Sequence, residues 1–294
     1  MVEQHFGKVQ IQVQFLVGAP ILNNTMDLVT VTCLRDWRDM QRQAQSINLY
    51  LEPCTHWVIV NDKYIDKSFW EELLTPYYSK HNLKLLFPKW YEFNYFQKNF
   101  YEPRHPPGYK NQQVHKLLIS QEINDDYLVI DSDTFFVKQT SITEWKDVVG
   151  TGRTVPFSQV SNDLQQSIRA YAKIIGCDIP EMVFDNCIPI VIRNDVMKSF
   201  KNLPKLVKRF NRVKRLIQAD IYFYNLLAYK AGMYDGKSKL TNDKSRLFYD
   251  RRFSKFEKPS ALKAMLFKPE YFDEVERRKV NEFLLSIGIT ILYQ

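Results

Sequence analysis

Glycine is scarce in this chain, with nine residues among 294, or about 3% where proteins average ~7%. Enzymes that cradle a dinucleotide or ATP on a Gly-rich loop need several glycines at fixed spacing. Residues 231–238 (AGMYDGKS) fit a loose phosphate-loop pattern, but a helical pattern precedes them where a strand is required. A glycine-based nucleotide cradle is therefore not expected.

Cysteines and long apolar runs are also few. The four cysteines form no CxxC pair and no cluster with histidine, which predicts reduced thiols and no disulfide framework. The apolar run from Phe15 to Leu22 is interrupted by Gly18 and Pro20, so no signal peptide is expected. No segment approaches the ~20 apolar residues of a membrane span. We expect a cytoplasmic protein and leave open a peripheral contact with a membrane.

Positive charge is present in excess and is unevenly distributed. Residues 198–258 hold 17 Lys and Arg against 5 Asp and Glu, a net charge of +12, so the rest of the +8 chain carries −4. Lys and Arg residues surround a predicted helix over 204–217, and no acidic residue occurs between 198 and 215. A solvated helix face explains such a run, and so does an anionic partner such as a lipid surface, a phosphorylated acceptor or a diphosphate. Nucleic acid is a less expected partner, because no recognised nucleic-acid module occurs.

Short β-branched runs alternate with helical patterns between residues 27 and 138. The runs at 27–33, 56–62, 82–87 and 127–138 are apolar enough for buried strands, and the segments between them carry helical spacing or helix caps. Strands that alternate with helices predict βαβ units. The expected fold class is α/β, with a mostly parallel sheet flanked by helices and a less regular C-terminal half.

Two carboxylates follow the fourth predicted strand directly, at Asp131 and Asp133. In an extended chain, positions i and i+2 point to the same side, and the carboxyl edge of an open α/β sheet is where ligands bind. A divalent cation relieves the repulsion between the two acids, and Mn²⁺ or Mg²⁺ suits oxygen ligands and diphosphate. The alternative is a polar strand end with two solvated acids.

Two other functions are also compatible with the sequence. A phosphatase-like hydrolase with a DxD motif usually has Thr or Val where this chain has Phe135, and carries the motif on its first strand. A non-catalytic protein that binds an anionic surface would need only the basic stretch over 198–215. Both alternatives remain open at this point.

Three segments resemble glycosyltransferases of the GT-A type, which use a nucleotide sugar and a metal ion. They are DLVTVTCLRD (27–36), HWVIVND (56–62) and GYKNQQVHKLLISQEINDDYLVIDSDTFFVK (108–138). The resemblance implies a GT-A-like fold, a UDP- or GDP-sugar donor, and a glycan, lipid-linked or phosphorylated acceptor. The chain departs from the family in having no histidine after His115, so the common C-terminal metal ligand has no counterpart here.

The resemblance also implies roles for individual residues. The donor-binding set is Thr32, Cys33, Arg35, Asp62, Tyr109, Gln112, Lys116 and Asp131, with Gln113 beside it on the same helix. The metal ligands are Asp131 and Asp133. In an inverting enzyme a carboxylate activates the acceptor hydroxyl, and the candidates are Asp220, then Asp185, then Asp163. Arg35 has an alternative as the ion-pair partner of Asp36 or Asp39, and Asp220 as an ordinary helix cap.

The resemblance covers roughly residues 27–138, and we expect the chain to divide into four segments around it. Residues 1–26 form an N-terminal extension and residues 27–138 the nucleotide-sugar-binding half. Residues 139–250 form the acceptor-side half of the same domain, and residues 251–294 form a C-terminal elaboration with a helix and a strand.

Overall fold

The structure is a computed structural model, and it describes most of the chain. The described residues are 13–15, 26–62, 66–88, 107–145, 153–185, 189–210, 219–234, 248–249, 264–266 and 273–289.

The strands and helices of this part of the chain are as follows. The strands are β1 (Val13–Phe15), β2 (Met26–Thr32), β3 (Thr55–Val60), β4 (Asn82–Leu86), β5 (Asp126–Asp131), β6 (Thr134–Phe136), β7 (Arg153–Pro156), β8 (Met182–Asp185), β9 (Ile190–Ile192), β10 (Phe248–Tyr249) and β11 (Ala264–Leu266). The α-helices are α1 (Trp37–Tyr50), α2 (Lys67–Leu74), α3 (Pro107–Leu118), α4 (Asn162–Ile175), α5 (Asn194–Ser199), α6 (Leu203–Phe210), α7 (Ala219–Lys230) and α8 (Glu274–Ser286).

The central sheet has the strand order β1-β4-β3-β2-β5-β9 among the described residues. The four inner strands, β4, β3, β2 and β5, are parallel, while β1 and β9 run antiparallel at the two edges. The chain builds outward from β2 through β3 to β4, then crosses to the other side of β2 to form β5. The expected α/β fold is confirmed, and the strand order reverses between β2 and β5.

The inner strands are buried on both faces, as continuous apolar runs require in a parallel sheet. Leu28, Val29 and Val31 of β2 and Leu128 and Val129 of β5 are at most 1% exposed. Helices α2, α4 and α8 begin at a side chain that accepts a backbone N–H bond, as in α4, where Ser161 Oγ accepts from Leu164. That helix ends at Gly176, whose φ of 73° is costly for any residue with a Cβ.

The segment 127–138 is not the single strand that its pattern predicts. Strand β5 ends at Asp131, residues 132–133 form a turn, and β6 leaves the central sheet to pair antiparallel with β11. The expectation that Asp131 and Asp133 share one side of an extended strand is therefore wrong. The Gln43 amide nitrogen explains the turn, because it donates to the carbonyl oxygens of both Asp131, at 2.6 Å, and Thr134, at 2.9 Å.

A second, smaller hydrophobic cluster lies behind this turn. Phe135 and Val137 pack with Val280 and Leu284 of α8 and with Ile289. The predicted C-terminal helix is thereby confirmed, and it covers the back of the motif. Of the predicted strand over 289–293, all but Ile289 lies outside the described residues.

The basic helix is described only in its first part, as α6. Val207 and Phe210 are buried while Lys205, Lys208 and Arg209 are exposed, and residues 211–217 lie outside the described part. Among the helices that the structure describes, none combines the length and the apolar character needed to cross a membrane.

Candidate functional site

The carboxyl ends of β2, β3 and β5 meet at the edge of the sheet where the strand order reverses. Val31 pairs with Asp131, and Thr32 pairs with Val60. Ligands of open α/β sheets bind in the crevice at such a reversal. The sequence-predicted residues on these three strand ends are thus brought to one edge.

Lys116 of α3 lies among the carboxylates of this edge. Its ammonium nitrogen is 2.8 Å from Asp131 Oδ1 and 3.8 Å from Asp220 Oδ2. The Lys116 side chain is 2% exposed and the Asp220 side chain 7%. Three elements far apart in sequence, α3, β5 and α7, therefore contribute to one buried ionic cluster.

The electrostatics of this cluster favour the charged form of Lys116 and disfavour that of Asp220. Burial by itself lowers the pKa of Lys116, but the carboxylates of Asp131, Asp220 and Asp133 more than offset burial and raise it. Burial raises the pKa of Asp220, and the nearby Lys116 ammonium offsets only part of that rise. With all three carboxylates ionised, these four groups carry a net negative charge, which favours a further cation.

Two glutamines of α3 anchor the helix to its neighbours. The Gln112 amide donates to the carbonyl oxygen of Val31 at 3.4 Å. The Gln113 amide, with its nitrogen facing Asp220, donates to Asp220 Oδ2 at 3.0 Å. Lys116 is one turn along the same helix, so these contacts fix its position between β5 and α7.

The loop after β2 is held by the carboxylate that follows β3. Asp62 Oδ2 accepts from the backbone N–H of Leu34 at 2.7 Å, and the Cys33 thiol donates to Asp36 Oδ2 at 3.3 Å. Burial, followed by the negative charge of Asp36, raises the pKa of Cys33 to about 12. Arg35 is 73% exposed and pairs with Asp36 at 3.0 Å, which is the alternative predicted for it.

Thr32 is the last residue of β2 and is 2% exposed. Its carbonyl oxygen accepts from the Asn61 N–H at 2.7 Å, which joins the ends of β2 and β3. Its hydroxyl is buried and has no hydrogen-bond partner within the described residues. A buried hydroxyl without a partner is costly, so this position is chemically suited to a polar ligand group.

The donor set at the turn fits a hard divalent cation. In the part of the chain that is described, no group of three or more His, Cys, Asp or Glu side chains is placed to hold a metal. The protein would supply the two carboxylates of Asp131 and Asp133. Mg²⁺ is usually held by one or two carboxylates, with water and substrate phosphate filling the other positions, so two protein ligands are sufficient.

The described contacts do not place three of the predicted site residues in the ionic cluster. Tyr109 lies on the first turn of α3, but its side chain is outside those described. Asp185 ends β8 and pairs with Arg153 of β7 in a separate two-stranded sheet; β8 contacts α7, and the Asp185 side chain is not described. Asp163 is exposed on the first turn of α4. The structure therefore brings Asp220 into the cluster and leaves the roles of Asp185 and Tyr109 as predictions.

Sequence reasoning missed a set of uncharged residues beneath the turn. Gln43 of α1 is fully buried and accepts a hydrogen bond from Thr30, which is linked in turn to His56 and, through His56, to Tyr78. Its signal in the sequence was a polar residue on the same helix stripe as the apolar Met40 and Ile47. A polar side chain on a buried stripe needs a partner.

Solved structures similar to this chain are glycosyltransferases, as the sequence resemblance predicts. WbbM, a bifunctional glycosyltransferase, is 15% identical with a TM-score of 0.43, and the match covers 72% of this chain and 39% of WbbM. The galactosyltransferase LgtC, in complex with donor and acceptor sugar analogs, is 13% identical with a TM-score of 0.48, covering 91% and 98%. Mouse xyloside xylosyltransferase 1 is 10% identical with a TM-score of 0.46, covering 84% and 99%. With identities and TM-scores this low, these neighbours assign no activity to the chain.

Sequence comparisons give a family and no activity. No curated protein matches the chain in sequence. A family model matches residues 23–235, which include every strand of the central sheet except β1 and every residue of the ionic cluster. The chain belongs to DUF6492, a family of unknown function.

Proposed function

We propose that the protein is a metal-dependent glycosyltransferase, which moves a sugar from a nucleotide-sugar donor to an acceptor hydroxyl. One observation carries the proposal: Asp131 and Asp133 lie at the reversal point of the sheet, beside the buried Lys116 and Asp220. Such a crevice suits a nucleotide, and paired carboxylates suit a cation that holds its diphosphate.

The chain's own residues have separable tasks in this reaction. Asp131 and Asp133 would hold Mn²⁺ or Mg²⁺, which offsets the charge that develops on the leaving diphosphate. Lys116 fixes one oxygen of Asp131 at 2.8 Å and so orients that carboxylate. Asp62 holds the loop after β2 through the Leu34 N–H, which keeps Thr32, Cys33 and the exposed Arg35 at the proposed nucleotide entrance.

Asp220 is the proposed base for an inverting reaction. Burial raises the pKa of its carboxyl, and a carboxylate with a raised pKa takes up a proton more readily near neutral pH. Asp220→Asn should therefore abolish sugar transfer while nucleotide and metal still bind. If Asp220→Asn retains transfer, the base lies elsewhere, and Asp185 is the next candidate.

Thermal shifts with nucleotide and metal test the proposal directly. The melting temperature is measured with UDP, GDP or CMP, each with and without Mn²⁺. Since a ligand that binds only the folded state raises stability by mass action, we expect a rise that requires both a nucleotide and Mn²⁺. No shift with any pair in a folded sample would rule the proposal out.

A matched pair of variants shows whether the shift comes from this site. Asp131→Asn combined with Asp133→Asn should remove the metal-dependent shift. Asp125→Asn replaces an exposed carboxylate just before β5, at the opposite end of the strand, and should leave the shift unchanged. Equal losses in both proteins would place the metal outside the turn.

A phosphatase-like hydrolase is the second candidate, and the contact between Lys116 and Asp131 favours it. An ammonium beside a carboxylate nucleophile can bind the phosphate under attack. Against it, the motif follows β5, the fourth of the parallel strands in chain order. Hydrolysis of p-nitrophenyl phosphate that is lost in Asp131→Asn would favour the phosphatase.

The basic surface next to α5 and α6 is proposed to meet an anionic acceptor or membrane. Lys198, Lys201 and Lys205 are exposed there. Binding to phosphatidylserine vesicles should weaken as salt rises, and should survive the double Asp131, Asp133 variant. If this binding occurs without any nucleotide-dependent thermal shift, the protein is better described as a non-catalytic binding protein. A cytoplasmic location and the division into four segments stay predictions.

A further inference from the structure

A chain of hydrogen bonds between uncharged groups crosses the interior and ends on the backbone of the turn that contains the Asp131 and Asp133 motif. Tyr78 OH lies 2.6 Å from His56 Nδ1, and His56 Nε2 lies 2.9 Å from Thr30 Oγ1. The Thr30 hydroxyl donates to Gln43 Oε1 at 2.8 Å. The Gln43 amide nitrogen then donates to the carbonyls of Asp131 and Thr134. Strands β2 and β3, helix α1 and the segment between α2 and β4 are thus joined to one turn.

The donor and acceptor roles in this chain have one consistent assignment. Carbonyl oxygens only accept, so the side of Gln43 that faces the turn is its NH₂ group, and its oxygen faces Thr30. The single Thr30 proton goes to that oxygen, so His56 Nε2 must carry a proton and donate to Thr30. His56 Nδ1 then accepts from Tyr78. Each group therefore donates to the next group in the direction of the turn, and each hydrogen bond allows the next side chain only one orientation.

The neutral state of His56 supports this assignment. The His56 side chain is fully buried, and burial, with a smaller contribution from His81, lowers its pKa to about 3. A protonated imidazole would donate from both nitrogens, so its Nδ1 could no longer accept the hydrogen bond from Tyr78. At neutral pH the imidazole therefore keeps the one acceptor that the chain needs.

We propose that Gln43, supported by Thr30, His56 and Tyr78, is a positioning residue that sets the spacing of the Asp131 and Asp133 carboxylates for a divalent cation. This inference rests on the proposed function. The motif residues are connected by a turn, so their separation depends on how tightly that turn is closed. Gln43 closes it by holding the carbonyl oxygens of residues 131 and 134 on one nitrogen. Groups that orient metal ligands typically change metal affinity by 10- to 100-fold when they are removed.

Two readouts test the proposal in the whole 294-residue chain. Gln43→Met keeps an unbranched side chain and removes both donors. We expect amide hydrogen exchange over residues 132–136 to rise about tenfold or more, because the turn loses its closing bonds. We also expect Mn²⁺ affinity, measured from the free Mn²⁺ signal in electron paramagnetic resonance with UDP present, to fall about 10- to 100-fold.

A matched control separates positioning from general loosening. Asn194 is also a buried amide, and it donates to the carbonyl of Ile123 just before the other end of β5. Asn194→Leu should raise exchange there and leave residues 132–136 and Mn²⁺ affinity unchanged. If both variants affect the turn equally, or if Gln43→Met affects neither readout, Gln43 does not position the motif.

Milder variants cover the case in which Gln43→Met does not fold. Thr30→Val removes the hydroxyl that orients Gln43, and Tyr78→Phe removes the far end of the chain. Both variants should raise hydrogen exchange over residues 132–136 and lower Mn²⁺ affinity, as Gln43→Met does, and Thr30→Val should have the larger effect. If neither variant changes these two readouts, the proposal is overturned. If wild-type protein binds no Mn²⁺, the metal function fails, and hydrogen exchange still decides whether Gln43 holds the turn.

Discussion

Two sets of contacts hold the end of β5, and they differ in charge. On the side of α1, uncharged groups led by Gln43 bind the backbone of residues 131 and 134. From α3 and α7, the charged Lys116 and Asp220 surround the Asp131 side chain. The uncharged set fixes where the turn lies, and the charged set determines what the turn attracts. A site that binds a cation needs both properties, because carboxylates that repel each other also need a backbone that holds them together.

The first prediction concerns the Lys116 ammonium, which supplies the positive charge of the charged set. Lys116→Met leaves Asp131, Asp133 and Asp220 without the Lys116 charge, and removing one partner of a buried ion pair typically costs about 3–5 kcal/mol. The free energy of unfolding, measured in urea, should fall by that amount. Mn²⁺ should recover part of the loss, because it offers the same carboxylates a positive charge.

The ion pair at the opposite end of β5 supplies the control. Arg193 Nε lies 2.7 Å from Asp126 Oδ2, with side chains 43% and 32% exposed. Arg193→Met should cost less than about 1 kcal/mol, because exposed pairs are worth little. Losses of similar size in the two variants would mean that burial does not distinguish the clusters.

The second prediction concerns acid. The pKa of His56 is lowered from 6.5 to about 3 by burial, so below pH 6.5 the unfolded chain binds a proton that the folded chain does not. Stability therefore falls as pH falls from 6.5 toward 3. Between pH 7.5 and 5.5 this group alone should cost about 1.4 kcal/mol. The raised pKa of Asp220 acts in the opposite direction, since the folded state then takes up its proton first.

A comparison of two histidine variants isolates the contribution of His56 to the pH dependence of stability. His56→Gln and His115→Gln should each reduce the pH dependence of unfolding in urea, because burial lowers the pKa of His115 to about 4. Only His56→Gln should also raise hydrogen exchange over residues 132–136. A pH dependence that is unchanged in His56→Gln would show that the folded state protonates this imidazole as readily as the unfolded chain does.

The sequence could predict the charged set because its signals are local. Apolar runs marked the strands, and the two acids directly after the fourth run placed the motif at the edge of the sheet. Helical spacing placed Lys116 on the preceding helix. The resemblance to GT-A enzymes named both groups, and the structure brings them within 2.8 Å.

The uncharged set could not be predicted, because it depends on contacts between distant residues. Gln43 and the carbonyl of Asp131 are 88 positions apart. The Asp and Ser residues of DSDTFF are compatible with a turn, but the apolar residues on both sides favoured one continuous strand. Phe135 looked like a continuation of the strand, and it instead anchors the C-terminal helix. Local patterns identified the elements, whereas the closing of the turn depended on which side chains the packed fold brought together.

The third prediction concerns a second contact of α1, which is made with β6 directly after the turn. The Ser46 hydroxyl accepts from the N–H of Phe136 at 3.1 Å and donates to the carbonyl of Gln43 at 2.8 Å. Ser46→Ala leaves that N–H buried without its partner and should cost about 1 kcal/mol in urea unfolding. Exchange at residue 136 should rise while residues 131–132 change little, because Gln43 still holds them. Equal changes across the turn would show that it responds as one unit.

The fourth prediction changes binding with almost no effect on folding. Arg35 is 73% exposed and forms an ion pair with the adjacent Asp36, so Arg35→Ala should change the free energy of unfolding by less than about 0.5 kcal/mol. Its guanidinium stands at the proposed nucleotide entrance, and a lost charge-assisted contact should weaken UDP binding about tenfold. Arg38→Ala removes the same charge one turn away, where the guanidinium lies over the Trp37 ring, and should leave the UDP shift unchanged. If both variants weaken UDP equally, the basic surface attracts the nucleotide without a specific contact, and the assignment of Arg35 is wrong.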